Sequence, residues 1–98
     1  MGRDEVIATL REHESELRAQ GVVRLGVFGS VARGEANQAS DVDLVIAFDE
    51  ARDLSLIDQE RVRNNLEAML GTEVDLAVEP LRKPRLRQRV EAEAVFAF

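Results

Sequence analysis

The sequence contains no cysteine, no tryptophan and no tyrosine, and its aromatic residues are four phenylalanines. The absence of cysteine excludes disulfide bonds, thiolate catalysis and cysteine-ligated zinc sites. It also fits a reducing compartment, and we expect the protein to be cytoplasmic. So few aromatic side chains leave no platform on which the bases of a single-stranded nucleic acid would stack.

Long hydrophobic runs are also missing. The longest apolar stretches, residues 44–48 and 94–98, are far shorter than the roughly 20 residues of a membrane span, so we expect no membrane association. The N-terminal segment is charged from Arg3 onward, which is unlike a secretory signal. A net charge of -6 argues against binding to extended nucleic acid.

The 98 residues form, by this reading, one small domain spanning residues 1–98. Hydrophobic periodicity together with capping signals predicts the helices and strands. In chain order these are a helix over 4–20, a strand over 22–28, a strand over 42–48, a helix over 55–70, a strand over 73–78, a helix over 84–93 and an apolar tail that packs back on the core. This order predicts an α+β fold layered like α/β proteins, in which helices cover mainly one face of a small mixed sheet. The other face is then polar, or covered by a ligand or partner.

Two of the predicted strands carry acidic residues on the same face. Side chains alternate between the faces of a strand. In the strand at 42–48 the even-numbered positions are all apolar, which sends Asp41 and Asp43 to the other face. The strand at 73–78 sends Asp75 away from its apolar positions in the same way. We therefore expect Asp41, Asp43 and Asp75 to emerge on one side of the sheet.

Three neighbouring carboxylates repel one another unless they are well hydrated, partly protonated or bound to cations. Oxygen-only ligands favour magnesium or manganese over zinc. Asp41 and Asp43 would share a pair of ions about 3.5–4 Å apart and Asp75 would complete one ion's site, which is the arrangement of two-metal phosphoryl chemistry. The alternative is that Asp-x-Asp is an ordinary solvated strand end or turn cap.

A glycine and a serine, Gly29 and Ser30, end the first strand upstream of these aspartates. Glycine lets the backbone approach a phosphate closely, and a serine hydroxyl with free amides at the start of a helical turn donates to anionic oxygens. Arg33 adds a cation that can meet phosphate bidentately. Alone, such a pair is more often an ordinary strand-ending turn, so it gains meaning only together with the aspartates.

Residues 29–46 read Gly-Ser-Val-Ala-Arg-Gly-Glu-Ala-Asn-Gln-Ala-Ser-Asp-Val-Asp-Leu-Val-Ile. This segment resembles the signature of the polymerase-β-like nucleotidyltransferase superfamily, in which Gly-Ser is followed after ten residues by Asp-x-Asp. The Ala-Arg-Gly after the serine, and the Ser-Asp-x-Asp that begins at Ser40, are similar to the minimal nucleotidyltransferase (MNT) branch. The resemblance extends over nearly the whole chain, because the size, the element order and the third aspartate also match.

The resemblance implies a nucleotidyltransferase fold and a role for each site residue. Asp41 and Asp43 would bind both of two Mg²⁺ ions (Mn²⁺ is the alternative). Asp75 would complete one ion's site and help to deprotonate the attacking hydroxyl. Gly29 and Ser30 would hold the triphosphate of the substrate ATP, with Arg33 as a helper.

The resemblance also implies a partner. MNT proteins commonly pair with a HEPN-domain toxin, and the MNT protein acts as antitoxin by transferring AMP from ATP to a tyrosine of that toxin. Two other functions stay open. The chain could neutralise its partner by occlusion without catalysis, although a pure binder has no need of a self-repelling acidic cluster. It could instead transfer a nucleotide to a small molecule or an RNA end, although 98 residues leave little room for a separate acceptor domain.

Two further features carry less weight. The run Arg82, Lys83, Arg85, Arg87, Arg89 is either a solvated helix face balanced by Glu91 and Glu93, or a docking surface for an acidic partner or RNA. His13, the only histidine, is expected to be a packed or rim residue, not a catalytic one. The apolar tail and the weakly covered sheet face suggest association, either with a second copy or with a helical partner.

Overall fold

The computed structural model describes residues 2–35 and 41–98, so Ser40 of the motif lies outside the described residues. Helices and strands alternate along most of the chain. In order they are α1 (Arg3–Glu12), α2 (Glu14–Ala19), β1 (Val22–Phe28), α3 (Gly29–Ala32), β2 (Val42–Phe48), a 3₁₀ turn (Glu50–Arg52), α4 (Leu56–Leu70), β3 (Val74–Val78), α5 (Pro84–Glu93) and β4 (Val95–Phe96). The α+β class expected from the sequence is confirmed.

The four strands form one mixed sheet in the order β3-β2-β1-β4. β1 is antiparallel to both of its neighbours, β2 and β4. β2 and β3 are parallel, and α4 makes the crossover between them. The apolar tail packs back as expected, since β4 pairs with β1 and Ala97 is buried.

The main core lies on the sheet face covered by α1, α2 and α4. Even-numbered residues of β2 point into it, as their alternation predicts. This core contains Val6, Ile7, Leu10, Leu17, Val22, Leu25, Val27, Val31, Ala32, Val42, Leu44, Ile46, Val62, Leu66, Leu70, Val74 and Ala97. At about 25 cal/mol per Å² of apolar surface removed from water, this burial is the main force holding the domain together.

The opposite face of the sheet is partly covered by the chain itself, through α5. Val90 of α5 packs with Phe28 and Val45 in a second, smaller cluster, and Leu86 contacts the same cluster. The expectation that this face is polar or covered by a ligand or partner is therefore wrong for the part beneath α5. α5 offers few apolar positions among its arginines, and two of them suffice to dock it beside the acidic residues.

The predicted helix over 4–20 is two helices, with the break at His13. The ring Nδ1 of His13 donates to the carbonyl oxygen of Thr9 at 2.9 Å. That oxygen is the one an uninterrupted α-helix would give to the amide of residue 13, and this amide bonds to the carbonyl of Leu10 instead. His13 is half-buried and thus a packed residue, as expected.

The other helix-end signals have the predicted structure. Ser55 and Asp58 form a reciprocal capping box at the start of α4, and Gly71 ends the helix in the left-handed conformation. Pro84 occupies the first turn of α5. Within residues 2–35 and 41–98, no helix combines the length and apolar character that crossing a bilayer requires.

Candidate active site

Two of the three predicted aspartates lie side by side on neighbouring strands of the sheet. Asp43 of β2 and Asp75 of β3 are direct partners in the parallel register. Partners in a parallel pair point to the same face, so both carboxylates emerge on the face that also carries α5. This confirms the relative placement of Asp43 and Asp75 that alternation predicts.

A cavity of about 210 Å³ opens between these carboxylates and α5. Its wall combines acidic, apolar and basic side chains: Phe28, Asp43, Asp75, Leu76, Ala77, Leu86 and Arg89. The guanidinium carbon of Arg89 lies 5.5 Å from the centroid of the Phe28 ring, within cation–π range. The cavity is therefore a cleft with charges of both signs and one apolar side.

The environment of Asp43 disfavours its ionised form. Partial burial raises the pKa of Asp43 above the ordinary value of 3.8, and the neighbouring Asp75 raises it further. Arg89 opposes this by lowering the pKa, and Asp41 again raises it. A carboxylate held under repulsion in this way gains most from a nearby cation.

Gly29, the first residue of the predicted phosphate-binding pair, packs directly on Asp43. Its φ is +74°, and a Cβ at this position would overlap the Asp43 carboxylate oxygen Oδ2. Glycine is thus required twice, for the backbone conformation and for the space that the carboxylate occupies. The glycine–serine turn and the Asp-x-Asp strand are two halves of one structure.

A glutamate from α5, Glu93, holds the turn from the other side. The amide of Gly29 donates to Oε2 of Glu93 at 3.1 Å, and Nη1 of Arg33 donates to its Oε1 at 3.0 Å. Nε of Arg33 donates to Glu35 at 2.8 Å, and these two glutamates raise the pKa of Arg33. The positive charge of Arg33 is therefore already paired with two carboxylates.

The remaining predicted residues, Ser30 and Asp41, do not line the cavity. Ser30 is half-buried in the first turn of α3, and Asp41 is exposed immediately before β2, close enough to raise the pKa of Asp43. Within the described part of the chain, no three histidine, aspartate or glutamate side chains converge closely enough to hold a metal ion by themselves.

Two site residues escape prediction from the sequence, Arg89 and Glu93. From the sequence both belong to a charged helix face that is either solvated or a docking surface, yet Arg89 lines the cavity and Glu93 bonds to the glycine–serine turn. Their spacing of four places them one turn apart on one side of α5. The spacing identifies Arg89 and Glu93 as site residues only when it is known which side of α5 faces the sheet.

Comparison with known proteins agrees with this geometry. Residues 10–97 match the family model described as a nucleotidyltransferase domain. Among curated relatives, the protein adenylyltransferase MntA of Thermococcus cleftensis is 39% identical over 94 residues, which covers 95% of this chain and 93% of the relative.

Solved structures give the same answer. A structure described as a candidate minimal nucleotidyltransferase superposes with a TM-score of 0.79 at 42% identity, covering 97% of this chain and 95% of that one. A chain from the complex of the tri-AMPylated Shewanella oneidensis HEPN toxin with its MNT antitoxin shares the fold, with a TM-score of 0.65 at 19% identity and coverage of 93% and 70%. The chain therefore belongs to the nucleotidyltransferase domain family, in its minimal nucleotidyltransferase branch, and is an enzyme of the nucleotidyltransferase class.

Proposed function

We propose that this chain transfers AMP from ATP, with Mg²⁺, to a tyrosine hydroxyl of a HEPN-domain toxin, and thereby acts as its antitoxin. The observation that carries the proposal is the pairing of Asp43 with Asp75 in one cleft, together with the packing of Gly29 directly on Asp43. Two carboxylates that repel each other, next to a glycine that lets the backbone come close to a ligand, suit the binding of a metal-bound polyphosphate. A surface that only docks another protein needs neither feature.

The residues present fit divalent cations. The donor set is made of oxygen atoms only, and partial burial and Asp75 both raise the pKa of Asp43, so that a cation would relieve this repulsion. Mg²⁺ usually takes one or two carboxylates and completes its octahedron with water and substrate phosphates. Among the described residues no three carboxylate or imidazole side chains converge on one point, and a Mg²⁺ ion held by one or two carboxylates does not need a third. Asp41, Asp43 and Asp75 would hold the ions.

Different residues of the chain would bind the triphosphate and accept the proton during the reaction. Ser30 would donate its hydroxyl group to the triphosphate, and Gly29, whose own amide donates to Glu93, would hold the turn against Asp43 beside it. The tyrosine oxygen attacks the α-phosphorus in line, the bond from the α-phosphorus to the bridging oxygen breaks, and pyrophosphate leaves. Asp75 accepts the proton of the hydroxyl. When bound, two Mg²⁺ ions would neutralise phosphate charge and polarise the α-phosphoryl group.

The named relatives support the choice of nucleotide and partner. The Thermococcus cleftensis relative, similar over nearly its full length, is called a protein adenylyltransferase. The fold is shared with an MNT antitoxin whose HEPN partner carries AMP groups. Both descriptions concern those proteins, and we extend them to this chain because the residues that would do the chemistry are all present in it.

The proposal is tested by label transfer. The purified chain is incubated in Mg²⁺ with a HEPN-domain toxin as the proposed partner and with ATP labelled at either the α- or the γ-phosphate. We expect label on the partner from α-labelled ATP only, because γ-phosphate leaves within pyrophosphate. The double variant Asp41→Ala/Asp43→Ala should transfer none.

A matched control is Glu12→Gln, which removes an exposed carboxylate on α1 and should leave transfer intact. Transfer from γ-labelled ATP would indicate a kinase instead. A stable complex that acquires no label from either ATP would favour neutralisation by occlusion and defeat the proposed activity.

A further inference from the structure

We propose that Arg89 of α5, and not Arg33 of the sequence motif, supplies the guanidinium that binds the phosphates of the nucleotide. This inference rests on the proposed function, because it assigns a residue to the binding of its triphosphate substrate. It changes the expectation drawn from the motif, in which Arg33 is the phosphate helper. The two arginines differ in their partners, in their position and in the charge around them.

Arg33 is already engaged. Its Nε and Nη1 donate to Glu35 at 2.8 Å and Glu93 at 3.0 Å, both within salt-bridge distance. One guanidinium between two carboxylates makes a group with a net charge of about -1, which repels a triphosphate. Moreover, Arg33 does not line the cavity that contains Asp43 and Asp75.

Arg89 has the opposite surroundings. It lines the cavity together with Asp43 and Asp75, and it is the only cationic residue to do so in the described part of the chain. No salt bridge joins Arg89 to a carboxylate of residues 2–35 or 41–98. Its planar donor groups thus remain available for the bidentate contact that arginine makes with phosphate.

Packing also prepares Arg89 for this role. Its guanidinium lies 5.5 Å from the centre of the Phe28 ring, and Phe28 is the last residue of β1, directly before Gly29. Stacking on a buried ring restricts the side chain, so less rotamer freedom is lost when a ligand binds. Arg89 therefore lies where metal-bound phosphates would meet both the aspartates and the turn.

The experiment compares Arg89→Gln, Arg33→Gln and Arg87→Gln in the full chain, with Mg²⁺ present. Arg87 is the matched control, because like Arg89 it is an exposed arginine on α5, but it lines a different cavity. The dissociation constant of ATP is measured by titration, and inorganic tripolyphosphate is used as a competitor. Melting temperatures verify that each variant is folded, and Arg89→Lys provides a version that keeps the charge but loses the bidentate contact.

We expect Arg89→Gln to weaken ATP and tripolyphosphate binding by the same factor, roughly ten- to a hundredfold, as for the loss of charge-assisted hydrogen bonds. Arg33→Gln should change either affinity by less than about fivefold, as for the loss of exposed ion pairs. Arg87→Gln should have no larger effect, because Arg87 does not line this cavity. Arg89→Lys should lie in between.

The assignment is overturned if Arg33→Gln weakens binding and Arg89→Gln does not. It is also overturned if Arg89→Gln affects ATP but not tripolyphosphate, since Arg89 would then contact another part of the nucleotide. Binding decides the question even if the wild-type chain transfers no AMP, which would count against the proposed activity alone. A wild-type chain that binds neither ligand would overturn both.

Discussion

The α-carbon of Gly29 lies against the carboxylate of Asp43, so closely that a methyl group on residue 29 would overlap Oδ2. This contact joins the glycine–serine turn to the Asp-x-Asp strand and explains why the two halves of the motif occur together. A residue that is larger than glycine would displace the carboxylate around which the site is built.

We predict that Gly29→Ala abolishes AMP transfer, because the added methyl group moves Asp43. The control is Gly34→Ala. Gly34 has nearly the same backbone angle, φ +73° against +74°, but apart from its chain neighbours no atom of the described residues lies within 4 Å of the position its Cβ would take. Both variants should lose about 1–2 kcal/mol of unfolding free energy from left-handed backbone strain. Equal losses of activity in the two variants would show that strain, and not the contact with Asp43, is responsible.

Asp43 should destabilise the metal-free protein at neutral pH. Its pKa is raised above 3.8 in the folded chain, so folding favours the protonated form. The stability it contributes is present below pH 4 and is lost as the pH rises through the raised pKa. We therefore expect Asp43→Asn to melt at a higher temperature than wild type at pH 7 in a chelator, and the difference to close as the pH falls toward 4. A difference that stays constant with pH would contradict this account.

Mg²⁺ should make the wild type melt at a higher temperature than Asp43→Asn. An ion that binds only the folded state stabilises it by RT ln(1 + [L]/Kd), about 1.4 kcal/mol at ten times Kd. We expect Mg²⁺ to raise the melting temperature of wild type and of Glu12→Gln, but not of Asp43→Asn. If wild type and Asp43→Asn respond to Mg²⁺ equally, the acidic pair is not the metal site.

Glu93 should stabilise the turn. Its two oxygens accept hydrogen bonds from the Gly29 amide and from Arg33, so Glu93→Ala leaves both donors without this partner. We predict a loss of about 1–3 kcal/mol in urea unfolding, as for hydrogen bonds to a charged group. Glu91→Ala is the control, since Glu91 is exposed two residues away on the same helix. Equal stabilities of the two variants would mean that the Glu93 contact is too weak to matter.

Sequence patterns within single strands and at helix ends predicted the features that depend only on neighbouring residues. The alternation of apolar and acidic residues in β2 and β3 suffices to bring Asp43 and Asp75 to the same face, because strand periodicity is independent of the rest of the fold. The capping box at Ser55 and the helix start at Pro84 are equally local. The same reasoning gave the mixed sheet and its main core.

Contacts between distant parts of the chain were beyond that reasoning. The bond from the Gly29 amide to Glu93 joins residues 64 positions apart. It depends on α5 docking on the second face of the sheet through Leu86 and Val90. These two apolar residues, among three arginines, do not show from the sequence which surface the helix packs against. The choice between Arg33 and Arg89 follows from that docking, so it requires the structure.

The central claim, that this chain attaches AMP to a partner protein, is tested most directly by the intact mass of the partner. The HEPN-domain protein is weighed after incubation with ATP, Mg²⁺ and either wild type or Asp43→Asn. We predict that wild type adds whole AMP units, located on tyrosine by fragmentation, and that Asp43→Asn adds none. A partner that keeps its mass while its toxicity is suppressed by the wild-type chain would contradict the claim and assign neutralisation to occlusion.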